Sequence, residues 1–262
     1  MNDGIIEQLQ ARLRGKTAWI IGGKRIGQTV SQALAELGVN IFVSYRESET
    51  EARAAVAMAE KLGVKALALK TGDIRLSANL EEAVMRAWQH FGQIDFLVYM
   101  ASVFKKSNSS VIPSNEWSIN FDVHVKGAYD ASLALANRWQ KNNHPGKIII
   151  FTDRTALPGA PDYEDFDAYI VTKAAAAAVV RRLAKKLART SIRVNAIAPG
   201  PILRPPTISS EEWQKETRDQ APLRNIDDDE AVRQVANAVI YLLTQELSTG
   251  STLVLDSGLN LH

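Results

Sequence analysis

Seven short, almost wholly apolar runs punctuate the chain: Thr17–Ile21, Asn40–Ser44, Lys65–Leu69, Ile94–Met100, Lys147–Thr152, Arg193–Ala198 and Thr252–Asp256. None shows the in-out alternation of a strand with one wet face, so each reads as a strand covered on both sides. Between them, the stretches near 27–38, 49–62, 78–91, 114–141, 167–189 and 229–245 carry apolar residues at helical spacing. Strand and helix alternate without pause, which predicts an α/β fold, a parallel sheet wrapped by helices on both faces. No proline- or glycine-rich linker, internal repeat or low-complexity tract interrupts the pattern, so residues 1–262 read as one domain. The run Ala174–Ala178 fits either strong helix propensity or close helix packing, including packing across a subunit interface.

One segment breaks the rhythm. From Pro199 to Asp229 the chain carries five prolines and many charges, with one weak helix around Glu211–Thr217. A loop this long in a compact domain is usually a lid or a binding loop, and this one follows the C-terminal end of a strand, where ligands sit in open α/β sheets. Residues 201–226 are therefore expected to cover a substrate. The acidic triplet Asp227–Asp229 with Glu230 has the look of a metal site, but acids at a helix start also cap its free amides and suit its dipole, and that reading is preferred.

Composition narrows the partners. With 46% hydrophobic and 23% charged residues the chain can build a sizeable core. Its 31 basic residues are offset by 29 acidic ones, so neither nucleic acid nor an anionic membrane is expected as a partner. The absence of cysteine excludes disulfides, thiolate metal sites and cysteine nucleophiles. The histidines His90, His124, His144 and His262 are scattered without paired ligand spacing, so no metal site is expected. No Gly-x-Ser-x-Gly elbow is present for acyl transfer. Residues Met1 to Lys16 lack the apolar core of a signal peptide and no run is long enough to span a bilayer; a cytoplasmic location is the expectation.

The first strand runs into Gly22, Gly23, Lys24, Arg25, Ile26 and Gly27, and then a helix. Glycines also make ordinary turns, but at the first strand-to-helix junction they let a dinucleotide's phosphates approach the backbone and meet a helix N terminus. The end of the second strand indicates which dinucleotide. It reads Val43, Ser44, Tyr45, Arg46, with no acid before Glu47 to take a free ribose, and Lys24 and Arg25 lie in the facing loop. Arginine suits a phosphate through charge-assisted, forked hydrogen bonds. The expected cofactor is NADP(H), its 2′-phosphate held by Lys24, Arg25 and Arg46 with Ser44 or Tyr45 alongside.

The segment from Ala168 to Ala174 supplies candidate chemistry. Tyr169 and Lys173 stand four residues apart in a helical stretch and so share a face. A free tyrosine has a pKa of about 10; a neighbouring cation favours the phenolate and is expected to lower it, making Tyr169 a general acid at neutral pH.

With these pieces in order, the chain resembles the short-chain dehydrogenase/reductase family over nearly its whole length. The resemblance rests on Gly22–Gly27, Asp73 after the third strand, Tyr169 with Lys173, Arg193-Val194-Asn195 leading to Pro199-Gly200, and the closing stretch from Thr249 to Gly258. It implies a Rossmann-type doubly wound sheet of seven parallel strands, hydride transfer from a nicotinamide to a small-molecule substrate, and a homotetramer or homodimer. It also implies that Asp73 sits by the adenine, that Pro199 and Gly200 line the nicotinamide, that Lys173 holds the nicotinamide ribose, and that Ile74, Ala101 and Ile202 touch the cofactor.

The departures from that pattern carry information too. The glycine loop is one residue short, lacks its middle glycine and has Arg25 beside the gap, which is similar to the pteridine reductase branch. Tyr99, Met100, Ala101 and Ser102 stand where the family has Asn-Asn-Ala-Gly. His124 aligns with the helical asparagine thought to hold a relay water; its imidazole, titrating near neutrality, is expected either to replace that relay or simply to be hydrogen-bonded within the helix. Asp153 takes the place of the serine that precedes the catalytic tyrosine, again as in pteridine reductases. Two other outcomes stay open for it: Asp153 turned away to pair with Arg154, or Thr152 or Thr155 in the serine's role. The expected activity is reduction of a small polar or heteroaromatic C=N or C=O compound, including a pterin. A general carbonyl or 3-oxoacyl reductase is one alternative. A nucleotide-binding sensor without catalysis is another, and the retained Tyr169 and Lys173 argue against it.

Overall fold

The structure is a computed structural model that describes residues 3–107, 111–157, 163–205, 208–215, 221–223 and 227–261. Helix α1 (Asp3–Leu13) precedes strand β1 (Thr17–Ile21), and the chain then alternates α2 (Ile26–Glu36), β2 (Asn40–Tyr45), α3 (Glu49–Lys61), β3 (Ala66–Lys70), α4 (Ser77–Phe91) and β4 (Phe96–Tyr99). A long helical passage follows as α5 (Ser114–Phe121), a π turn (Asp122–Gly127) and α6 (Ala128–Lys141). Then come β5 (Gly146–Phe151), a short 3₁₀ turn (Arg154–Ala156), α7 (Asp167–Leu187), β6 (Ile192–Pro199), α8 (Ser210–Trp213), α9 (Asp228–Thr244) and β7 (Thr252–Leu255).

The strands form one sheet in the order β3-β2-β1-β4-β5-β6-β7, every neighbouring pair parallel. Its two faces bury separate cores. Along β1, Ala18 and Ile20 face a core completed by α2, α3 and α9, while Trp19 and Ile21 face one completed by α4, α6 and α7. This double burial is why the strands read as unbroken apolar runs. The register pairs Ile21 with both Ser44 and Tyr99, so the strand ends meet where the order reverses between β1 and β4. A crevice at that switch point is the standard ligand position in such sheets.

Three elements differ from the sequence expectation. Helix α1 lies outside the expected helical stretches; its apolar stripe of Ile6, Leu9 and Leu13 buries Leu13 against the core, and Arg12 Nη1 donates to the Thr244 carbonyl at 3.2 Å. The stretch 114–141 is not one continuous α-helix, because the π turn inserts an extra residue at 122–127. The helix expected at Glu211–Thr217 starts one residue earlier, as α8, and Thr217 lies outside the described residues, as does His262.

Candidate active site

The glycine loop is built by steric necessity. Gly22 has φ +91°, and a Cβ there would lie 2.6 Å from Ala101 N and from the Met100 carbonyl carbon. The backbone after β4 thus presses against the loop, held by the Met100 N–H bond to the Ile21 carbonyl at 2.7 Å. A Cβ on Gly27 would come 2.7 Å from the Gly22 oxygen, and one on Gly23 would strike Val43 at 2.8 Å. Where the loop lacks its extra glycine, Arg25 takes a left-handed φ of 56°, and its Nη2 reaches across to the Arg204 carbonyl at 2.8 Å. Helix α2 begins at Ile26 with no side chain capping its N terminus.

A cavity of about 500 Å³ opens from this loop along the strand ends. Such a volume is typical of small-molecule sites. Gly22, Lys24, Arg25, Ile26, Tyr45, Arg46, Asp73 and Ile74 line one end; Ala101, Asp153, Tyr169, Lys173, Pro199, Gly200 and Ile202 line the other. Gly23, Gly27 and His124 do not line the cavity. Lys24 pairs with Glu51 at 2.8 Å and Arg46 with Glu47 at 2.7 Å, and both line the same cavity as Arg25. Ser44 Oγ accepts from Trp19 Nε1 at 2.9 Å. Asp73 is held by Arg75, whose Nε donates to Oδ2 at 2.7 Å; that hydrogen bond keeps the carboxyl below its usual range.

At the far end, Tyr169 Oη donates to Asp153 Oδ2 at 2.6 Å. The other carboxylate oxygen accepts from the N–H and the hydroxyl of Thr155, both at 2.9 Å, which fixes the aspartate at the start of the 3₁₀ turn. Asp153 therefore faces the tyrosine and not Arg154. Thr155 serves the aspartate, and Thr152 Oγ1 donates instead to the Ile197 carbonyl at 3.2 Å. Lys173 Nζ donates to the Phe151 carbonyl at 3.0 Å and sits 5.6 Å from the centre of the Tyr169 ring. All three side chains are buried.

This environment corrects the expectation for Tyr169. Its pKa is raised well above the usual tyrosine value, first by burial and then by the charge and hydrogen bond of Asp153. Lys173 moves the other way, down to about 8, because burial disfavours its charge more than Asp153 restores it.

His124 is also corrected. Its Nδ1 lies 2.8 Å from Thr172 Oγ1, and its Nε2 lies 2.9 Å from the Val103 nitrogen and 3.0 Å from Ser102 Oγ. Burial, then the Lys173 charge, pushes the imidazole down to about 2, so it does not titrate near neutrality.

An aromatic group that the sequence did not single out completes the far wall. Phe104 stacks on Phe166 with ring centres 4.4 Å apart and meets Tyr169 edge-on at 4.9 Å. Tyr163 closes the group, with the Arg154 guanidinium 4.8 Å from its ring centre. These rings come from two separate loops, so no spacing along the chain announces them.

The family described as enoyl-(acyl carrier protein) reductase matches residues 22–260. A short-chain dehydrogenase/reductase from Serratia marcescens superposes with a TM-score of 0.84 at 27% identity, over 95% of this chain and 99% of that one. This chain belongs to the short-chain dehydrogenase/reductase family. Another short-chain dehydrogenase, from Burkholderia cenocepacia and solved in complex with NADP, matches equally well, with a TM-score of 0.84 at 27% identity over 95% and 99% of the two chains. Among sequences, the 3-oxoacyl-[acyl-carrier-protein] reductase of Staphylococcus epidermidis is 27% identical over 248 residues, covering 93% of this short-chain dehydrogenase/reductase and 98% of the relative. Among the described residues no group of histidines and acids is arranged to hold a metal, and no helix is long and apolar enough to cross a membrane.

Proposed function

We propose that this oxidoreductase uses NADP(H) to reduce a small polar or heteroaromatic C=N or C=O substrate, with protonatable C=N compounds such as pterins favoured over simple ketones. The observation that carries the proposal is the Asp153 carboxylate bound to the Tyr169 hydroxyl at 2.6 Å.

The residues present fit the cofactor. Gly22 and Gly27 leave room only for backbone, the α2 N terminus is uncapped, and Lys24, Arg25 and Arg46 share the rim. The Thr71 hydroxyl, on the cavity wall beside Asp73, is buried without a hydrogen-bond partner among the described residues. Lys24, Arg25 and Arg46 would hold a 2′-phosphate, Asp73 and Ile74 the adenine end, and Lys173, Ala101, Pro199, Gly200 and Ile202 the nicotinamide end. The NADP found with the Burkholderia cenocepacia relative supports this choice. When bound, the nicotinamide supplies a hydride.

The chain's own part is the proton and the orientation of the substrate. The Tyr169 hydroxyl, held by the Asp153 carboxylate, would give its proton to the substrate's nitrogen or oxygen as the hydride reaches the neighbouring carbon. Where a ketone is reduced, negative charge builds on oxygen. A carboxylate about 4 Å from that oxygen would repel it by roughly 4 kcal/mol at an effective dielectric of 20, which opposes catalysis. The same carboxylate attracts a protonated C=N or a ring amino group. A 3-oxoacyl reductase is the second reading, favoured by the Staphylococcus epidermidis relative. We further propose that residues 1–262 act as one unit, that residues 201–226 close over the substrate, and that the chain assembles as a homotetramer or homodimer. Pro201, Leu203, Pro205 and Trp213 from that segment already line the cavity.

The test is a panel of pterins, cyclic imines, ketones and 3-oxoacyl thioesters assayed by NADPH oxidation, in the wild type and Asp153→Ser. Reduction of C=N compounds in preference to ketones, shifted toward ketones by the substitution, supports the reading. Good ketone turnover with no pterin or imine turnover, indifferent to Asp153→Ala, overturns it. A protein that binds NADPH and oxidises it with nothing in the panel would favour the sensor.

A further inference from the structure

We infer that His124 is a positioning residue: its neutral imidazole, fixed as the Nδ1–H tautomer, clamps the cavity wall at Ser102–Val103 to the helix that carries Tyr169 and Lys173. The tautomer follows from the donors around the ring. The Val103 backbone N–H has no lone pair, so Nε2, 2.9 Å away, must accept. A neutral imidazole that accepts at Nε2 carries its hydrogen on Nδ1. Nδ1 faces Thr172 Oγ1 at 2.8 Å, and that hydroxyl spends its own hydrogen on the Ala168 carbonyl at 2.6 Å, leaving a lone pair for the ring. Every bond then points one way, from the cavity wall through the imidazole to the backbone of α7. Ser102 Oγ, 3.0 Å from Nε2, is a further donor to the same nitrogen.

The clamp sits where it can set the reacting geometry. Thr172 immediately precedes Lys173, and Ser102 and Val103 line the cavity beside Phe104. The imidazole also meets the Tyr169 ring edge-on, with centres 5.5 Å apart. Its own position is fixed from β4: the Tyr99 hydroxyl donates to the Val123 carbonyl at 2.6 Å, one residue before His124 in the π turn. A Cβ at Gly127 would lie 2.5 Å from that hydroxyl, so only glycine lets the turn close on it. The titratable groups facing the ring are Tyr169 and Lys173 from α7, with Asp153 behind the tyrosine. A proton relay would need one ring nitrogen free for Lys173 or solvent. Both are committed, and Lys173 Nζ is bound to Phe151.

The experiment uses the full chain labelled with ¹⁵N-histidine, the His124 ring signals being assigned by their loss in His124→Gln. Two-bond ¹H–¹⁵N spectra from pH 5.5 to 8.5 should show His124 neutral with its hydrogen on Nδ1 throughout. An Nε2–H pattern, or a titration inside that range, overturns the inference, and this arm needs no substrate. The second arm separates the two ends of the clamp. A glutamine amide reaches the Nε2 position and can still accept from Val103, whereas an asparagine reaches only the Nδ1 position. With any substrate found active, His124→Asn should raise KM about tenfold, the size of one lost buried hydrogen bond, while His124→Gln largely restores it and NADPH affinity stays unchanged in both. Wild-type KM in His124→Asn overturns the inference. Tyr99→Phe removes only the supporting hydroxyl and should give a mixture of tautomers at His124; an unchanged spectrum removes Tyr99 from the device.

Discussion

Acid should weaken this fold through one identifiable side chain. Burial and the Lys173 charge hold His124 down at about 2, while in the unfolded chain a histidine titrates near 6.5. The stabilising contribution is whole above about pH 6.5. As pH falls below that value, the unfolded chain takes up a proton that the folded chain refuses, and stability drops by roughly 1.4 kcal/mol per pH unit. At pH 4.5, two units into the window, the loss reaches roughly 2.7 kcal/mol. The perturbation is His124→Gln, which cannot titrate. Urea unfolding of both proteins at pH 7.5 and at pH 4.5 gives two losses on acidification, and the wild type's should be larger by roughly 2–3 kcal/mol. Groups common to both proteins cancel in the comparison. Equal losses would mean that His124 is protonated as readily inside the fold as in water, and the reasoning from its burial and its two committed nitrogens would fail.

Arg46→Asp places a like charge beside the site assigned to the 2′-phosphate and should shift the ratio of NADPH to NADH affinity by tenfold or more toward NADH, read by fluorescence titration; tighter NADH than NADPH binding by the unmutated chain would refute the assignment. Tyr169→Phe keeps the ring contacts with Phe104 and His124 and should cut turnover by roughly 100-fold or more at unchanged NADPH affinity; turnover within a few-fold of wild type would make Tyr169 a packing residue. Lys173, at about 8, is a cation below that pH and neutral above it. The kcat/KM profile should therefore fall as pH rises through about 8, and Lys173→Arg, charged across the whole range, should lack that limb whatever activity it keeps.

The parts of the fold legible in the sequence are those fixed by burial on both faces or by backbone clearance. Thr17–Ile21 reads as a strand because Trp19 and Ile20 both need cover, and Gly22 reads as special because a side chain there would strike the chain after β4. Helix α1 carries a readable stripe in Ile6, Leu9 and Leu13, but it precedes the repeating pattern of strand and helix. The π turn left no trace, since residues 122–127 are compatible with ordinary helix and the interruption depends on Tyr99, remote in sequence. At the site, the position of Asp153 was legible and its bond was not. Helical spacing along α7 pairs Tyr169 with the cation four residues on, whereas the tertiary fold places a carboxylate 2.6 Å from the hydroxyl. Long-range electrostatics reversed the local expectation.

The π turn also ties His124's aim to a count of residues. An α-helix advances about 100° per residue, so one extra residue offsets the helical phase on its two sides. Upstream, Asn120 and Val123 point inward; downstream, Ala128 and Ala131 do so on a phase shifted by that one insertion. Deleting a single residue from 122–127 would let the chain relax into uninterrupted α-helix, better bonded locally than before. It would also swing His124 by roughly a quarter-turn against either α5 or α6, away from Val103 or from Thr172. In this protein a length change of one would therefore break the clamp even with His124, Val103 and Thr172 all still in the sequence.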